Sequence, residues 1–116
     1  MTPIEELIKI AQNMETVLEE DYGATGKGLH EKASSVESQL SPDVMKKIRF
    51  IATIRNKAVH DDLQTAEKEI ENVRTAAETV YKEFRKHNPR RRMKSEEPLL
   101  ITIIKAILKL LFSGKK

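Results

Sequence analysis

Apolar residues recur at steps of three and four in four successive segments of this chain, and this spacing places them on one side of an α-helix. The first segment begins with Thr2 as an N-cap, Pro3 in the first turn and Glu5 completing a capping box, and it ends at Gly23. Ser41 precedes another first-turn proline at the start of the third segment. The sequence therefore predicts an all-α protein, an antiparallel four-helix bundle.

The predicted core consists of the apolar residues at these spacings. The fourth segment, which ends at Asn88-Pro89, keeps a heptad-like repeat that favours either a coiled coil or a long bundle helix. Three amphipathic neighbours favour the bundle helix. The expected core positions are Ile4, Leu7, Ile8, Ala11, Met14, Leu18, Leu29, Ala33, Val36, Leu40, Val44, Ile48, Ile51, Val59, Leu63, Ala66, Ile70, Val73, Ala77, Val80 and Phe84.

Length and composition indicate one small domain with an appended tail. The chain of 116 residues predicts a bundle at 1–88, a basic and polar linker at 89–98 and an amphipathic helix at 99–116. Since there is no cysteine, disulfides, a thiol nucleophile and cysteine-ligated zinc are excluded. The acidic, helical N-terminus is not a signal peptide, so we expect a cytoplasmic protein without a cofactor.

The net charge of +3 conceals an uneven distribution. Residues 1–88 hold 13 Lys or Arg against 16 Asp or Glu, whereas residues 89–116 hold 8 against 2. An evenly basic surface of the kind that coats nucleic acid is therefore excluded. Within the third helix, however, Asp43 is the only acid among five basic residues, Lys46, Lys47, Arg49, Arg55 and Lys57.

Arg55 is the residue that breaks the apolar pattern. It falls in the middle of the stripe formed by Val44, Ile48, Ile51 and Val59. Because a guanidinium keeps its charge, burying it without a partner would be very costly. We therefore expect the stripe to open at Arg55 onto a carboxylate, a subunit interface or an anionic ligand.

Arg55, Asn56 and His60 match a motif of the HEPN superfamily, which this chain resembles over roughly residues 1–87. HEPN proteins are small all-α domains that often carry an arginine, a polar residue and a histidine four to six positions after the arginine. The stretch Gly26-Lys27-Gly28-Leu29-His30-Glu31-Lys32 also looks like the turn and helix start before the motif helix in some HEPN families of prokaryotic defence systems. Asp62 departs from a toxin subgroup that has tyrosine there.

The resemblance implies a metal-independent endoribonuclease in a prokaryotic defence or toxin system. It implies a homodimer whose two motif helices line one cleft, RNA as substrate and an antitoxin as partner. His60 would exchange a proton with RNA, Asn56 would orient the imidazole from four residues away, and Arg55 would hold the scissile phosphate. RNA-binding residues are expected at Lys46, Lys47, Arg49 and Lys57, and no metal ligands are expected.

Two alternatives remain open for the same residues. Arg55 could pair with Glu19 or Glu69 inside the bundle, while His60 caps the end of its helix. The HEPN resemblance also includes non-catalytic members that serve in interaction or dimerisation. His30 and His87 are single histidines on other helices, and we expect them to face solvent without metal-ligand spacing.

The C-terminal segment predicts a helix that contacts a surface. Fourteen apolar-rich residues span about 21 Å, which is short of the roughly 30 Å of a hydrocarbon core. We expect its contact to be an anionic membrane surface, at the inner face of the membrane, or else a partner protein or a second copy of this chain. Thr102, Lys105 and Lys109 recur at steps of three and four and form one narrow polar strip on this helix. The expected contact residues are the apolar ones, Leu99, Leu100, Ile103, Ile104, Ile107, Leu108, Leu111 and Phe112.

Overall fold

A computed structural model describes residues 1–60 and 62–91 of the chain. It contains four α-helices, α1 Pro3–Tyr22, α2 Gly28–Ser35, α3 Pro42–His60 and α4 Gln64–His87, with a short 3-10 turn at Glu37–Gln39. All regular structure in this part of the chain is helical, which confirms the predicted all-α class. The predicted C-terminal helix at 99–116 and nearly all of the linker lie outside the described residues.

The helix ends follow the capping residues of the sequence. Thr2 and Glu5 form the capping box, each backbone N–H donating to the other side chain at 3.3 Å. Gly23 ends α1 in the left-handed region with φ 76°. At the start of α3, the Ser41 hydroxyl accepts from the Val44 N–H at 3.3 Å. Local side-chain chemistry therefore determines where these helices begin and end.

One apolar core joins all four helices, and nearly all predicted core positions are buried in it. Ile4 is partly buried against this core. Val59 and Leu63 are 39% and 67% exposed, so their predicted burial is wrong. Both lie at the corner between α3 and α4, where Leu63 precedes the first turn of α4. The spacing of apolar residues in a sequence cannot show that neighbouring helices stop covering an apolar stripe before the helix itself ends.

The second helix is shorter than its apolar spacing predicts. The sequence suggests a helix to about residue 39, whereas α2 ends at Ser35 and Val36 leaves the helical region with φ −121°. The Ser35 hydroxyl donates to the Lys32 carbonyl at 2.7 Å and accepts from the Thr25 N–H at 3.0 Å. Serine side chains compete with the helix for backbone partners, which explains the early end.

Ion pairs tie the middle of α4 and the residues that follow α4 to α1. Arg74 binds Glu6 through two hydrogen bonds of 2.6 Å. Just beyond α4, Arg91 binds Asp21 at 2.6 Å and also contacts Glu20. None of the described helices combines the length and apolar character that crossing a membrane requires.

Candidate functional site

Arg55 lies where the apolar stripe of α3 leaves the core. Ile51, one turn earlier, is fully buried, whereas Arg55 is half-buried and Val59 is 39% exposed. In the last two turns of α3 the buried residues are Ile54 and Ala58. Measured around the helix axis from Arg55, they lie about 100° and 60° away, both on the same side. The other side of the stripe is uncovered, and Arg55 faces this opening.

The guanidinium of Arg55 bonds to its own helix rather than to a carboxylate. Its Nη1 donates to the Asn56 Oδ1 at 3.2 Å. Glu19, one proposed partner, instead binds Lys32 at 3.1 Å, and Glu69 accepts from an asparagine on α4. Neither is therefore the partner of Arg55, which forms no ion pair within residues 1–60 and 62–91.

A pocket of about 530 Å³ opens beside Arg55, between α1, α2 and α3. Its volume is within the usual range for sites that bind small molecules, roughly 300 to 1,000 Å³. The first residues of α2 form one wall and the second half of α3 forms another. The lining residues are Glu15, Lys27, Gly28, Leu29, His30, Glu31, Ala52, Arg55 and Asn56.

The charges around this pocket are unequally satisfied. Both carboxylates have partners, since Glu15 lies 3.6 Å from the Lys32 ammonium and Glu31 accepts from the Lys27 backbone N–H at 3.3 Å. The cationic side chains of Lys27 and Arg55 form no ion pair with any described residue. The pocket is therefore lined by two cations and two carboxylates, and neither Lys27 nor Arg55 is held in an ion pair with a described residue.

Among the described residues, Lys32 on α2 is the charged residue that is buried in the fold. It is only 7% exposed, and its ammonium donates to the Gly26 carbonyl at 2.7 Å. Glu19 at 3.1 Å and Glu15 at 3.6 Å complete its oxygen partners. The hydrogen bond with Glu19 raises the pKa of Lys32, so the ammonium keeps its charge. This cluster joins α2 to α1.

Gly26 allows the loop before α2 to close against that helix. Its φ of +114° is unfavourable for other residues, and an added Cβ would lie 2.7 Å from the Cβ of Glu31. The close approach brings the following residue, Lys27, to the edge of the pocket. The loop lacks the spacing of a Walker motif, and it does not follow a strand.

His30 lies in the pocket, whereas the sequence predicted a solvent-facing side chain. It is half-buried, and its Nε2 is 3.4 Å from the Thr53 hydroxyl on α3. The position follows Leu29, a buried residue, so the helical pattern places His30 at the edge of the apolar side. Its contact lies 23 residues away on another helix, and helical spacing alone does not show that proximity.

His60, the motif histidine, is exposed at the last residue of α3. It lies about 7.5 Å along the helix from Arg55 and about 140° around it. Among the described residues no hydrogen bond joins Asn56 to His60, and the Asn56 oxygen accepts from Arg55 instead. Within one chain, the structure therefore groups Arg55 and Asn56 with His30, and leaves His60 separate.

Most of the expected RNA-binding residues share the exposed face of α3. Lys46, Arg49 and Lys57 lie on an arc of about 100° together with Asn56 and His60. From Lys46 to His60 this face is about 21 Å long. We call it the basic face of α3.

Lys47 does not belong to the basic face. It points to another side of α3, where it binds Asp43 at 2.7 Å. Arg49 is half-buried and donates to the Ser34 hydroxyl at 3.0 Å, which links α3 to α2. Asp43 is the sole acid of α3, and it is neutralised by Lys47, so the helix contributes no free carboxylate to the basic face.

Metal chemistry has no apparent centre in the described part of the chain. Within residues 1–60 and 62–91, no three His, Asp or Glu side chains are arranged to hold a metal ion. In comparisons with known proteins, no family model, curated protein or solved structure matches this chain.

Proposed function

We propose that this chain is a HEPN-type endoribonuclease that cleaves RNA without a metal ion. The observation that carries the proposal is the basic face of α3, on which the exposed Lys46 and Lys57 and the half-buried Arg49 share one side of the helix without a free acid of that helix, and which ends at His60. Such a surface attracts the phosphates of a nucleic acid strand. A histidine at its end is the side chain best suited to proton transfer near neutral pH.

The chemistry needs only groups that this chain and RNA supply. His60 would accept the proton of a ribose 2′-hydroxyl as its oxygen attacks the adjacent phosphorus. The bond from phosphorus to the 5′ oxygen breaks, a 2′,3′-cyclic phosphate forms, and the leaving oxygen receives a proton from a second imidazole. Because the nucleophile belongs to the RNA, the reaction needs no metal-activated water.

Arg55 would stabilise the negative charge that develops on the phosphate. It suits this role because its guanidinium is half-exposed at the pocket and forms no ion pair with a described residue. Asn56 would position Arg55 through the 3.2 Å hydrogen bond. This assignment replaces the expected contact of Asn56 with His60 by the one that the structure contains.

The proposal includes a symmetric homodimer. Arg55 and His60 diverge by about 140° on one helix, so a composite site from two copies would bring arginine and histidine to one phosphate. Val59 and Leu63 expose apolar surface beside His60 and are candidate contacts between the two copies. Short connections between successive helices favour the antiparallel bundle that would present both motif helices.

A second function draws support from the same exposed apolar residues. Val59 and Leu63 would equally suit a non-catalytic interaction or dimerisation module, anchored through the 99–116 segment to an anionic membrane surface or to a partner.

In the enzyme proposal, the biological setting is a prokaryotic defence or toxin system in the cytoplasm. An antitoxin would then inhibit by covering the basic face of α3.

RNA degradation in the presence of EDTA tests the enzyme proposal. His60→Ala should lower the cleavage rate by about 10²–10⁴-fold, the usual contribution of a positioned acid or base. Its folding should change little, because His60 is exposed at a helix end. Lys68→Ala, at an exposed position of α4, is the matched surface control. Equal degradation by the wild type and the His60 variant would favour the interaction module.

A further inference from the structure

The pocket between α1, α2 and α3 contains groups that the cleavage step does not use. Lys27 lines it from the loop before α2, His30 from α2 and Arg55 from α3. Lys27 and His30 are three residues apart, and Arg55 joins them from another helix. Two carboxylates also line the cavity, and both have contacts within the fold, since Glu15 lies 3.6 Å from the Lys32 ammonium and Glu31 accepts from the Lys27 backbone N–H at 3.3 Å.

We infer that this pocket is a nucleotide subsite, which binds the phosphate of the RNA nucleotide next to the cleaved linkage. This inference rests on the proposed ribonuclease function. Lys27 and His30 would contact the neighbouring phosphate, while Arg55 stands at the boundary with the scissile one. Charge-assisted hydrogen bonds from several cations to one phosphate are strong and directional.

The size of the pocket agrees with a nucleotide. The pocket volume of about 530 Å³ is larger than a bare phosphate requires. It therefore leaves room for a ribose beside the phosphate.

The remaining lining residues indicate how selective the subsite is. Leu29 and Ala52 give it a small apolar floor, and the Asn56 amide offers a polar contact for a ribose hydroxyl. No Phe, Tyr or Trp is among the lining residues, so the large ring faces that usually hold a base by stacking are missing from this pocket. Recognition should depend on phosphate and ribose, and differ little among the four bases.

Titration with adenosine 5′-monophosphate, followed by NMR chemical shifts on the full chain, tests the subsite. The wild type should bind this probe, and Lys27→Ala with His30→Gln should weaken binding by about tenfold or more. Adenosine, which lacks the phosphate, should bind far more weakly to the wild type. Lys68→Ala is the control and should match the wild type, and circular dichroism should show that all variants remain helical.

RNA kinetics separate the subsite from the proposed function. If the subsite is correct, Lys27→Ala and His30→Gln should each raise KM for RNA with little change in kcat, as expected for lost binding. Metal-free cleavage that depends on His60, together with no binding of the monophosphate, would overturn the subsite alone. Phosphate-dependent binding that needs Lys27 and His30, without any RNA cleavage, would support a phosphate site and reject the ribonuclease.

Adenosine binding as tight as that of the monophosphate would also overturn the subsite, because the phosphate would then contribute nothing. Binding that is unchanged in the Lys27 and His30 variants would do the same, since it would place the probe elsewhere. If inorganic phosphate competes with the monophosphate at this pocket, the anion contacts are supported. Comparable affinity for the four nucleoside monophosphates would support recognition through phosphate and ribose.

Discussion

Lys32 and Arg55 are two cations on apolar helical stripes, and the structure treats them differently. Lys32 is 7% exposed, and three oxygen atoms from Gly26, Glu19 and Glu15 surround its ammonium at 2.7 to 3.6 Å. Arg55 is half-exposed at a pocket, and its described hydrogen bond goes to the neutral amide of Asn56. One cation is bound within the fold, and the other is available to a ligand.

The difference separates a structural charge from a candidate functional one. A buried cation with bound carboxylates stabilises the arrangement of its helices, and losing it leaves its partners unsatisfied. A cation at a pocket that has no ion-pair partner is often a sign of a binding or catalytic role. Three experiments examine this distinction, in order of decreasing expected effect.

Lys32→Met should destabilise the protein by about 1–3 kcal/mol, because the Gly26 carbonyl and two glutamates lose their common donor. Urea unfolding of the variant and the wild type measures this difference. RNA cleavage per folded molecule should stay close to the wild-type value. Unchanged stability would show that the cluster around Lys32 does not hold α1 and α2 together.

Asp21, like Lys32, is a charged side chain that is bound by partners within the fold. Its contribution to the free energy of unfolding should depend on pH. Burial alone would raise the pKa of its carboxyl, but hydrogen bonds from Arg91 and Asn88 outweigh burial, so the pKa is lowered below its usual value. A carboxyl whose pKa is lower in the folded state than in the unfolded state stabilises the fold fully at pH values above its unfolded-state pKa, which is near 4. This stabilisation is lost as the pH falls through the folded-state pKa.

Asp21→Asn should therefore cost about 1 kcal/mol near neutral pH, the contribution of a charge-assisted hydrogen bond close to the surface. The difference from the wild type should shrink as pH falls below about 4, since the wild-type carboxyl is then protonated as well. Urea unfolding at several pH values measures it. A difference that is constant with pH would contradict the assigned ion pair with Arg91.

Lys57→Ala should have the smallest effect, a loss of RNA affinity of a few-fold. Removing one phosphate contact should reduce the slope of log K against log salt by about 0.7 for a single strand. Fluorescence anisotropy with a labelled RNA at several salt concentrations measures this slope. Lys68→Ala is the control, because Lys68 is an exposed lysine on a different helix, α4. Equal slopes for both variants would remove Lys57 from the RNA surface.

The sequence predicts the helices well because their signals are local. The Thr2 capping box, the Gly23 end of α1 and the Ser41 cap each involve residues within one turn. Burial at Val59 and Leu63 is predicted wrongly, since it depends on where neighbouring helices stop covering the corner between α3 and α4.

The candidate site is only partly visible in the sequence. Arg55 stands out as a cation on an apolar stripe, but Lys32 occupies an equivalent place beside Leu29 and Ala33 on the buried side of α2. The same helical spacing thus describes both residues. Their partners lie on other helices, so the three-dimensional structure is needed to distinguish them, and the same holds for His30 in the pocket.

In the proposed function, Arg55 acts on the RNA phosphate and does not hold the fold together. The substitution Arg55→Met separates these two roles. One sample of the variant would be assayed for RNA cleavage in EDTA and then unfolded in urea. We predict that cleavage falls by about 10²-fold or more while the free energy of unfolding is unchanged or slightly higher, because an apolar side chain suits the stripe. A variant that cleaves RNA at the wild-type rate, or that loses as much stability as Lys32→Met, would contradict the account.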